Sequence, residues 1–369
     1  MKIINISSYF LPHAGGLETV SKEIALGIAK KGHHVEVFTS DIGCPKDKQL
    51  KSTKNLKINY LPAWEFAHTA IIPSLFSKLM KTSKDSIIHI HSSSAFVPEI
   101  VWLVSKLRGL KYIAHLHGSV EPTGYLGFLL YPYQKIIFKT FLKSASKIIV
   151  LSKGYGQFFK KRYKLKIEPI VVPNGVGRTF FLNKKEKHKD IHLLYVGRLS
   201  KEKNITILIE AISLMKYKDI QLNIVGEGEK RKDIENLIKE KKLKNVILYG
   251  RKEGKELLNF YKKADIFLLA SESEGFPLVL LEAMATKTPI IASDVKGNHE
   301  VVKNVGILVN PPTPKDFAEA IEKLIKNSKL RKKLARNGLK EVKKYSWDKI
   351  IKKIEEVYCG VLTENKKNK

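Results

Sequence analysis

The sequence predicts an α/β protein of two domains, each built on a parallel sheet. Three observations lead there. Short apolar runs of strand length alternate with amphipathic helical stretches in both halves, the pattern of parallel βαβ units. A chain of 369 residues can bury two separate cores. The glycines and charged residues with chemical potential cluster just past the apolar runs, at the edge where open α/β sheets bind ligands.

In the N-terminal half, Lys2 to Ser8 reads as a first buried strand. Tyr9-Phe-Leu-Pro-His-Ala-Gly-Gly-Leu-Glu18 follows, then an amphipathic helix to about Lys31 and a second strand from Val35 to Thr39. Gly15 and Gly16 fall in the strand-to-helix loop, where paired glycines let a ligand approach the backbone. The plainer reading is a turn before a helix. Two further strands, Ser86 to His91 and Lys111 to Leu116, run into His-Ile-His-Ser and His-Leu-His-Gly118. His91 and His117 at these strand ends are candidate site residues, against the alternative of loop histidines without a role. The H-x-H spacing raises the question of a metal. No carboxylate or cysteine lies nearby at ligand spacing, so zinc is not expected.

The aromatic stretch 124–133 precedes a helix starting near Gln134. On that helix Lys135, Lys139, Lys143 and Lys147 form a basic stripe, opposite an apolar stripe of Ile137, Phe138, Phe141, Leu142 and Ala145. The helix is expected to pack on the sheet. The aromatic stretch is the better candidate for an acceptor or an anionic membrane. Strands at Ser146 to Ser152 and Ile167 to Val172 complete the half. Asn183 to Asp190, charged and poor in apolar residues, reads as a linker.

In the C-terminal half, the strand Ile191 to Val196 leads into Gly197-Arg-Leu-Ser-Lys-Glu-Lys-Asn204 and a helix to about Met215. Leu222 to Val225 ends in Gly226-Glu-Gly228, and Asn245 to Tyr249 in Gly250-Arg251. Ala264 to Ala270 reads as a buried strand, followed by Ser271-Glu-Ser-Glu-Gly-Phe-Pro277 and the helix Leu278 to Ala285. Pro277 suits the first helical position. Gly275-Phe276-Pro277 is then a strand-to-helix turn, with the backbone N–H groups of Leu278 and Val279 open to an anion. Glu274 sits at the mouth, and Glu282, with seven residues between them, lies about two turns along the helix. Arg198 and Lys203 add two cations at the same edge, which suits a diphosphate. Either cation alone is more simply a surface charge. A closing strand, Pro289 to Ser293, two lysine-rich helices from Asp316 to about Tyr345 and a last helix, Ile350 to Tyr358, follow.

Gly15-Gly16, His117-Gly118, Arg198-x4-Lys203 and Glu274-x7-Glu282 resemble, in this order, the motifs of retaining glycosyltransferases of family 4, which have the GT-B architecture. The resemblance runs from Lys2 to about Tyr358. It implies two Rossmann-like domains facing across a cleft, residues 1–180 and 181–345, with a C-terminal helix at 346–360 crossing back to the N-terminal domain. Residues 361–369 are expected to be a disordered tail. It implies that Glu274 and His117 contact the donor sugar and that Glu282 binds the ribose. Arg198, Lys203 and the amides of Gly275, Phe276, Leu278 and Val279 would hold the diphosphate. Gly15, Gly16 and Gly226 would line the nucleotide sugar, with Glu18 and His91 as weaker candidates. The implied reaction moves a hexose from a UDP- or GDP-sugar to an acceptor hydroxyl with retention. It uses no metal, consistent with the absence of a D-x-D triplet. Two departures stand out: Gly177 replaces the aspartate of the family's N-G-V-D element, and Asn204 replaces the glycine usual after the lysine.

The net charge of +31 favours an anionic partner, although the lysines are spread along the chain as on a generic solvated surface. A lipid-linked acceptor or a growing glycan, with an anionic membrane surface as a further partner, is expected; nucleic acid is not, since no nucleic-acid module is visible. Cys44 and Cys359 are far apart and in no C-x-x-C arrangement, which suits a reducing compartment. No leader pattern and no membrane-spanning apolar run is visible, so a cytoplasmic protein, soluble or on the inner membrane surface, is expected. The alternatives are a sugar phosphorylase of similar fold, a basic nucleic-acid-binding protein, and a binding module without turnover.

Overall fold

The computed structural model describes residues 1–13, 15–66, 69–92, 95–118, 131–182, 185–186, 188–217 and 219–367. They divide into two units, Met1–Asn174 with Trp347–Lys369, and Gly175–Ser346.

Unit one holds a parallel sheet of seven strands in the order β3-β2-β1-β6-β7-β8-β9. In chain order its elements are β1 (Lys2–Ser7), α1 (Gly16–Lys30), β2 (His34–Ser40), β3 (Leu56–Leu61), the antiparallel hairpin β4 (Trp64–Phe66) and β5 (Thr69–Ile71), and α2 (Ser74–Met80). Then come β6 (Ser86–Ser92), α3 (Val97–Arg108), β7 (Lys111–Leu116), α4 (Lys139–Ser144), β8 (Lys147–Val150), α5 (Lys153–Tyr163) and β9 (Ile170–Val171). The central strands are buried on both faces, which is why they read as nearly continuous apolar runs. The order reverses between β1 and β6, so the ends of those strands flank the switch point where open α/β sheets bind ligands.

Two expectations for this unit need correction. The helix from Gln134 opens with a π turn, Gln134–Phe138, before α4. The wider turn shifts the face. Phe138, Phe141, Leu142 and Ala145 are buried as expected, but Ile137 is 43% exposed, beside Ile136 at 65%. Of the aromatic stretch, residues 124–130 lie outside the described ones; Tyr131 is 63% exposed.

The last helix, α13 (Trp347–Lys367), starts earlier and runs further than expected, into the stretch read as a disordered tail. The reason is packing: Ile350, Ile354, Tyr358 and Val361 are buried at helical spacing. It lies against α1. A Cβ at Gly27 would come 2.5 Å from Ile351 Cγ1, so glycine there lets the two helices approach. Glu355 fastens the contact, accepting from Lys31 Nζ at 2.6 Å and pairing with His33 Nε2 at 2.7 Å.

Unit two holds a parallel six-stranded sheet, β12-β11-β10-β13-β14-β15. Its elements are β10 (Ile191–Val196), α6 (Ile205–Leu214), β11 (Ile220–Val225), α7 (Arg231–Glu240), β12 (Val246–Leu248), α8 (Gly254–Lys263) and β13 (Ile266–Leu269). They continue with α9 (Leu278–Ala285), β14 (Ile290–Ser293), α10 (Lys296–Val302), β15 (Gly306–Val309), α11 (Pro314–Lys326) and α12 (Ser328–Val342). The order reverses between β10 and β13. Of the expected linker, Asn183, Lys184 and Lys187 lie outside the described residues. Lys185 is hydrogen-bonded within unit two, to the Ala264 carbonyl and, at 2.6 Å, to Thr288 Oγ1. Burial pushes its pKa down to about 7.

Candidate active site

Because β10 and β13 are neighbours at the point of reversal, the loops that follow them leave the sheet side by side. The loops are tied together. The Glu272 N–H donates to the Glu202 carbonyl at 2.9 Å, and Asn204 Nδ2 donates to Glu272 Oε1 at 3.1 Å. Across them, Lys203 Nζ and Ser271 Oγ both donate to Glu274 Oε1, each at 2.6 Å. The expected roles put Lys203 on a diphosphate and Glu274 on a sugar. The structure pairs the two side chains directly, so an anion drawn to Lys203 is set against the Glu274 carboxylate.

Asn204 has φ of 45° and so occupies the left-handed region, which explains why glycine suits this position and why asparagine can replace it. Arg198 is exposed, and its guanidinium has no hydrogen bond or ion pair among the described residues. The Tyr195 hydroxyl holds the loop from below by donating to the Arg198 carbonyl at 2.8 Å.

Gly226 has a structural reason of its own. A Cβ there would lie 1.8 Å from the Gly197 carbonyl oxygen. The loops after β10 and β11 pack backbone to backbone, and Leu199 N–H donates to the Glu227 carbonyl at 2.8 Å.

Helix α9 starts at Leu278, with Pro277 as its N-cap residue and not, as expected, in its first turn; among the described residues no side-chain hydrogen bond caps it. The first amides, at the partly exposed Leu278 and Val279, make an electropositive helix end beside Lys203 and Glu274. Gly275 belongs to this turn. The Phe276 ring is buried, 5.5 Å from that of Tyr345, so only its backbone can face a ligand. Gly297 on α10 closes the back of the loop: a Cβ there would lie 2.3 Å from the Glu274 carbonyl oxygen.

Further along α9, Glu282 Oε2 accepts from the hydroxyl of the fully buried Tyr261 at 2.7 Å. Burial, partly offset by that hydrogen bond, pushes the Glu282 pKa up to about 7. Part of its surface still reaches solvent, so the group can meet a ligand. Tyr261, Ser271 and Gly297 carry no sequence signal that spacing could reveal, except that Ser271 lies three residues before Glu274.

In unit one, Gly15 is extended and precedes α1, whose first residue is Gly16. The buried Glu18 folds back over the loop, so a Cβ at Gly15 would meet its Oε2 at 2.0 Å. His13 Nδ1 lies 3.1 Å from Glu18 Oε1 and its ring stacks on Tyr9, 4.6 Å between centroids.

His117 closes an array of four histidines. His89 and His91 stack on β6, 4.5 Å between centroids, and His115 on β7 stacks on His117 just past its end, 4.3 Å between centroids. Across the strands, His89 Nε2 lies 3.1 Å from His115 Nδ1, and His91 Nδ1 lies 2.9 Å from His117 Nε2. The Tyr358 hydroxyl of α13 reaches His89 Nδ1 at 2.6 Å, and Asn5 Nδ2 reaches His91 Nε2 at 3.3 Å. Burial pushes the pKa of His89 down to about 3, and those of His91, His115 and His117 likewise fall. Burial thus favours the neutral form of all four imidazoles.

Among the described residues, His89, His91 and His115 are close enough to suggest a metal site. The ring geometry does not fit one. A metal needs in-plane lone pairs that converge. Here His89 and His91 are stacked face to face at 20°, so their lone pairs lie in nearly parallel planes that do not meet at one point, and the His89–His115 pair spends its facing nitrogens on each other.

Two parallel sheets with functional loops at their switch points, and a final helix returned to the first unit, define the GT-B class of glycosyltransferases. Residues 14–179 match the family described as Glycosyltransferase Family 4, and residues 178–341 match Glycosyl transferases group 1. An uncharacterized glycosyltransferase of Methanocaldococcus jannaschii is 30% identical over 367 residues, covering 97% of this chain and 98% of the relative. The chain belongs to the family 4 glycosyltransferases. It is also similar to one component of the phosphatidylinositol N-acetylglucosaminyltransferase of Homo sapiens, 27% identical over 98% of this chain and 76% of that protein. Among solved structures, sucrose-phosphate synthase from Thermosynechococcus elongatus superposes with a TM-score of 0.81 at 23% identity, covering 98% of this chain and 99% of that one.

Proposed function

We propose that the protein transfers a hexose from a UDP- or GDP-sugar to an acceptor hydroxyl with retention and without a metal. The observation that carries this reading is the Lys203–Glu274 pair beside the uncapped start of α9, with Arg198 unpaired nearby among the described residues. Arg198, Lys203 and the amides of Leu278 and Val279 hold the diphosphate and stabilise the charge that grows on it as the bond to the sugar breaks. Glu274, fixed by Ser271, orients the sugar hydroxyls. Glu282 accepts from the ribose hydroxyls, and His117 contacts the donor sugar. In the step, the C1–O bond to the β-phosphate breaks and the acceptor oxygen bonds to C1. The acceptor proton passes to the leaving diphosphate.

For the acceptor, we infer a lipid-linked molecule. Tyr131, Ile136 and Ile137 expose apolar surface beside Lys135, in a chain of net charge +31, and a relative is named for transfer to phosphatidylinositol. Among the described residues, no helix is long and apolar enough to cross a membrane. A surface-bound mode fits.

The test is calorimetric binding and slow hydrolysis of UDP- and GDP-sugars in EDTA, for wild type and Glu282→Ala. Saturable binding of one nucleotide class, weakened by the substitution, is expected. Absence of binding to any nucleotide sugar would refute the donor assignment, and activity abolished by EDTA would refute metal independence.

A further inference from the structure

The direction of the hydrogen bonds beneath His117 can be worked out atom by atom. Ser21 Oγ on α1 donates to Asn5 Oδ1 at 2.9 Å. That leaves the Asn5 Nδ2 amide facing His91 Nε2 at 3.3 Å. An amide NH2 only donates, so His91 Nε2 carries a lone pair. A neutral imidazole with a bare Nε2 holds its proton on Nδ1, and His91 Nδ1 faces His117 Nε2 at 2.9 Å. His117 Nε2 therefore accepts, and the His117 proton sits on Nδ1. That Nδ1 has no hydrogen-bond partner among the described residues.

We propose that Ser21, Asn5 and His91 form a one-way hydrogen-bond chain that sets His117 as the Nδ1–H tautomer, so that His117 meets its ligand as a hydrogen-bond donor and not as a base. Asn5 and His91 are then positioning residues. The proposal rests on the reading that His117 contacts the donor sugar, and it narrows that contact to a sugar oxygen that accepts. The second pair, His89 and His115, stacks against the first and is anchored by Tyr358, so the rings of the chain have little room to turn. Asn5, His89, His91 and His115 are all at most 1% exposed, so bulk solvent does not reach these nitrogens.

The test uses full-length protein labelled with 15N-histidine at pH 7, with resonances assigned by single His→Gln variants. The 15N shifts and two-bond couplings separate the two neutral tautomers and the imidazolium. Both His91 and His117 are expected as Nδ1–H in wild type. In Asn5→Leu, His117 should lose its single tautomer, and kcat should fall roughly ten- to hundred-fold while KM for the nucleotide sugar holds. A wild-type His117 protonated on Nε2 or on both nitrogens overturns the proposal, as does a metal bound at one per chain. A folded Asn5→Leu that changes neither tautomer nor kcat also overturns it. Should Asn5→Leu fail to fold, Ser21→Ala, which only frees the Asn5 amide to flip, takes its place with the same expected signature. A wild type without turnover sinks the functional reading; the tautomer spectrum still decides the chain.

Discussion

Replacing Tyr261 by phenylalanine removes one hydroxyl from a buried site and leaves the ring in its stack on Phe267, 5.8 Å between centroids. The hydroxyl donates to Glu282 Oε2 at 2.7 Å. A hydrogen bond to a charged acceptor contributes about 1.5–3 kcal/mol, and it favours the ionised carboxylate. Glu282 already has its pKa pushed up to about 7 by burial. Losing the hydroxyl should raise it by about one to two further units, since each unit is about 1.4 kcal/mol. If ribose hydroxyls donate to the ionised Glu282, binding takes a proton off the protein whenever the pH lies below that pKa. Nucleotide affinity in wild type should then rise with pH and level off above 7, with about a tenfold loss at pH 6. In Tyr261→Phe the rise should move up by the same one to two units, so that binding at pH 7, where wild-type Glu282 is itself half ionised, is roughly five- to fifty-fold weaker than wild type and returns to within about two-fold of it by pH 9. The assay is titration calorimetry from pH 5.5 to 9 in buffers of different ionisation heat, which counts the protons released. A wild-type affinity that is flat across that range, with no proton release, refutes the reasoning.

The other predictions concern neighbouring groups. Ser271→Ala removes one donor to Glu274 Oε1 and leaves Lys203 in place; kcat should fall about ten-fold with KM for nucleotide little changed, and an unaltered kcat would show that the carboxylate keeps its place without the serine. Gly226→Ala drives a methyl group into the Gly197 carbonyl oxygen, so urea unfolding should show a loss of about 3 kcal/mol; a variant as stable as wild type would mean that the two loops separate easily. The histidine array should make the protein acid-sensitive. His89 is pushed down to about 3, whereas an unfolded histidine titrates near 6.5, so the unfolded chain takes up the proton first. Stability present above pH 6.5 should therefore fall as the pH drops, by about 2 kcal/mol from His89 alone at pH 5; unfolding midpoints that do not move between pH 7 and 5 would argue against neutral rings.

Much of this was legible in the sequence wherever one strand, one loop and one helix suffice. The Glu274–Glu282 spacing, the Arg198–Lys203 loop and the glycines are local features, and their local geometry follows from the strand before and the helix after. Residues that act across the sheet were not legible. Tyr261 comes from the helix preceding β13 and meets Glu282 only once the sheet is formed. The histidines were visible as two H-x-H pairs, but their partnership depends on β6 lying beside β7, and their neutrality on being covered. The π turn at Gln134–Phe138 escapes the sequence because apolar spacing on a regular helical wheel assumes a regular helix. The strand Leu56–Leu61 and the hairpin after it escape it too, because an edge position leaves only weak apolar alternation.

The return of α13 to unit one sets the timetable of folding. Residues 175–346 form a continuous stretch that a ribosome delivers whole, and its sheet can close as soon as that stretch has emerged. Unit one begins first but waits for its last helix. Until Tyr358 arrives, His89 lacks its hydroxyl partner, and the face of α1 at Gly27 stays bare. Translation thus starts one half and completes the other. A chain truncated before Trp347 should keep a folded second half and an unfinished first half, which a peptide of residues 347–367 supplied separately should complete.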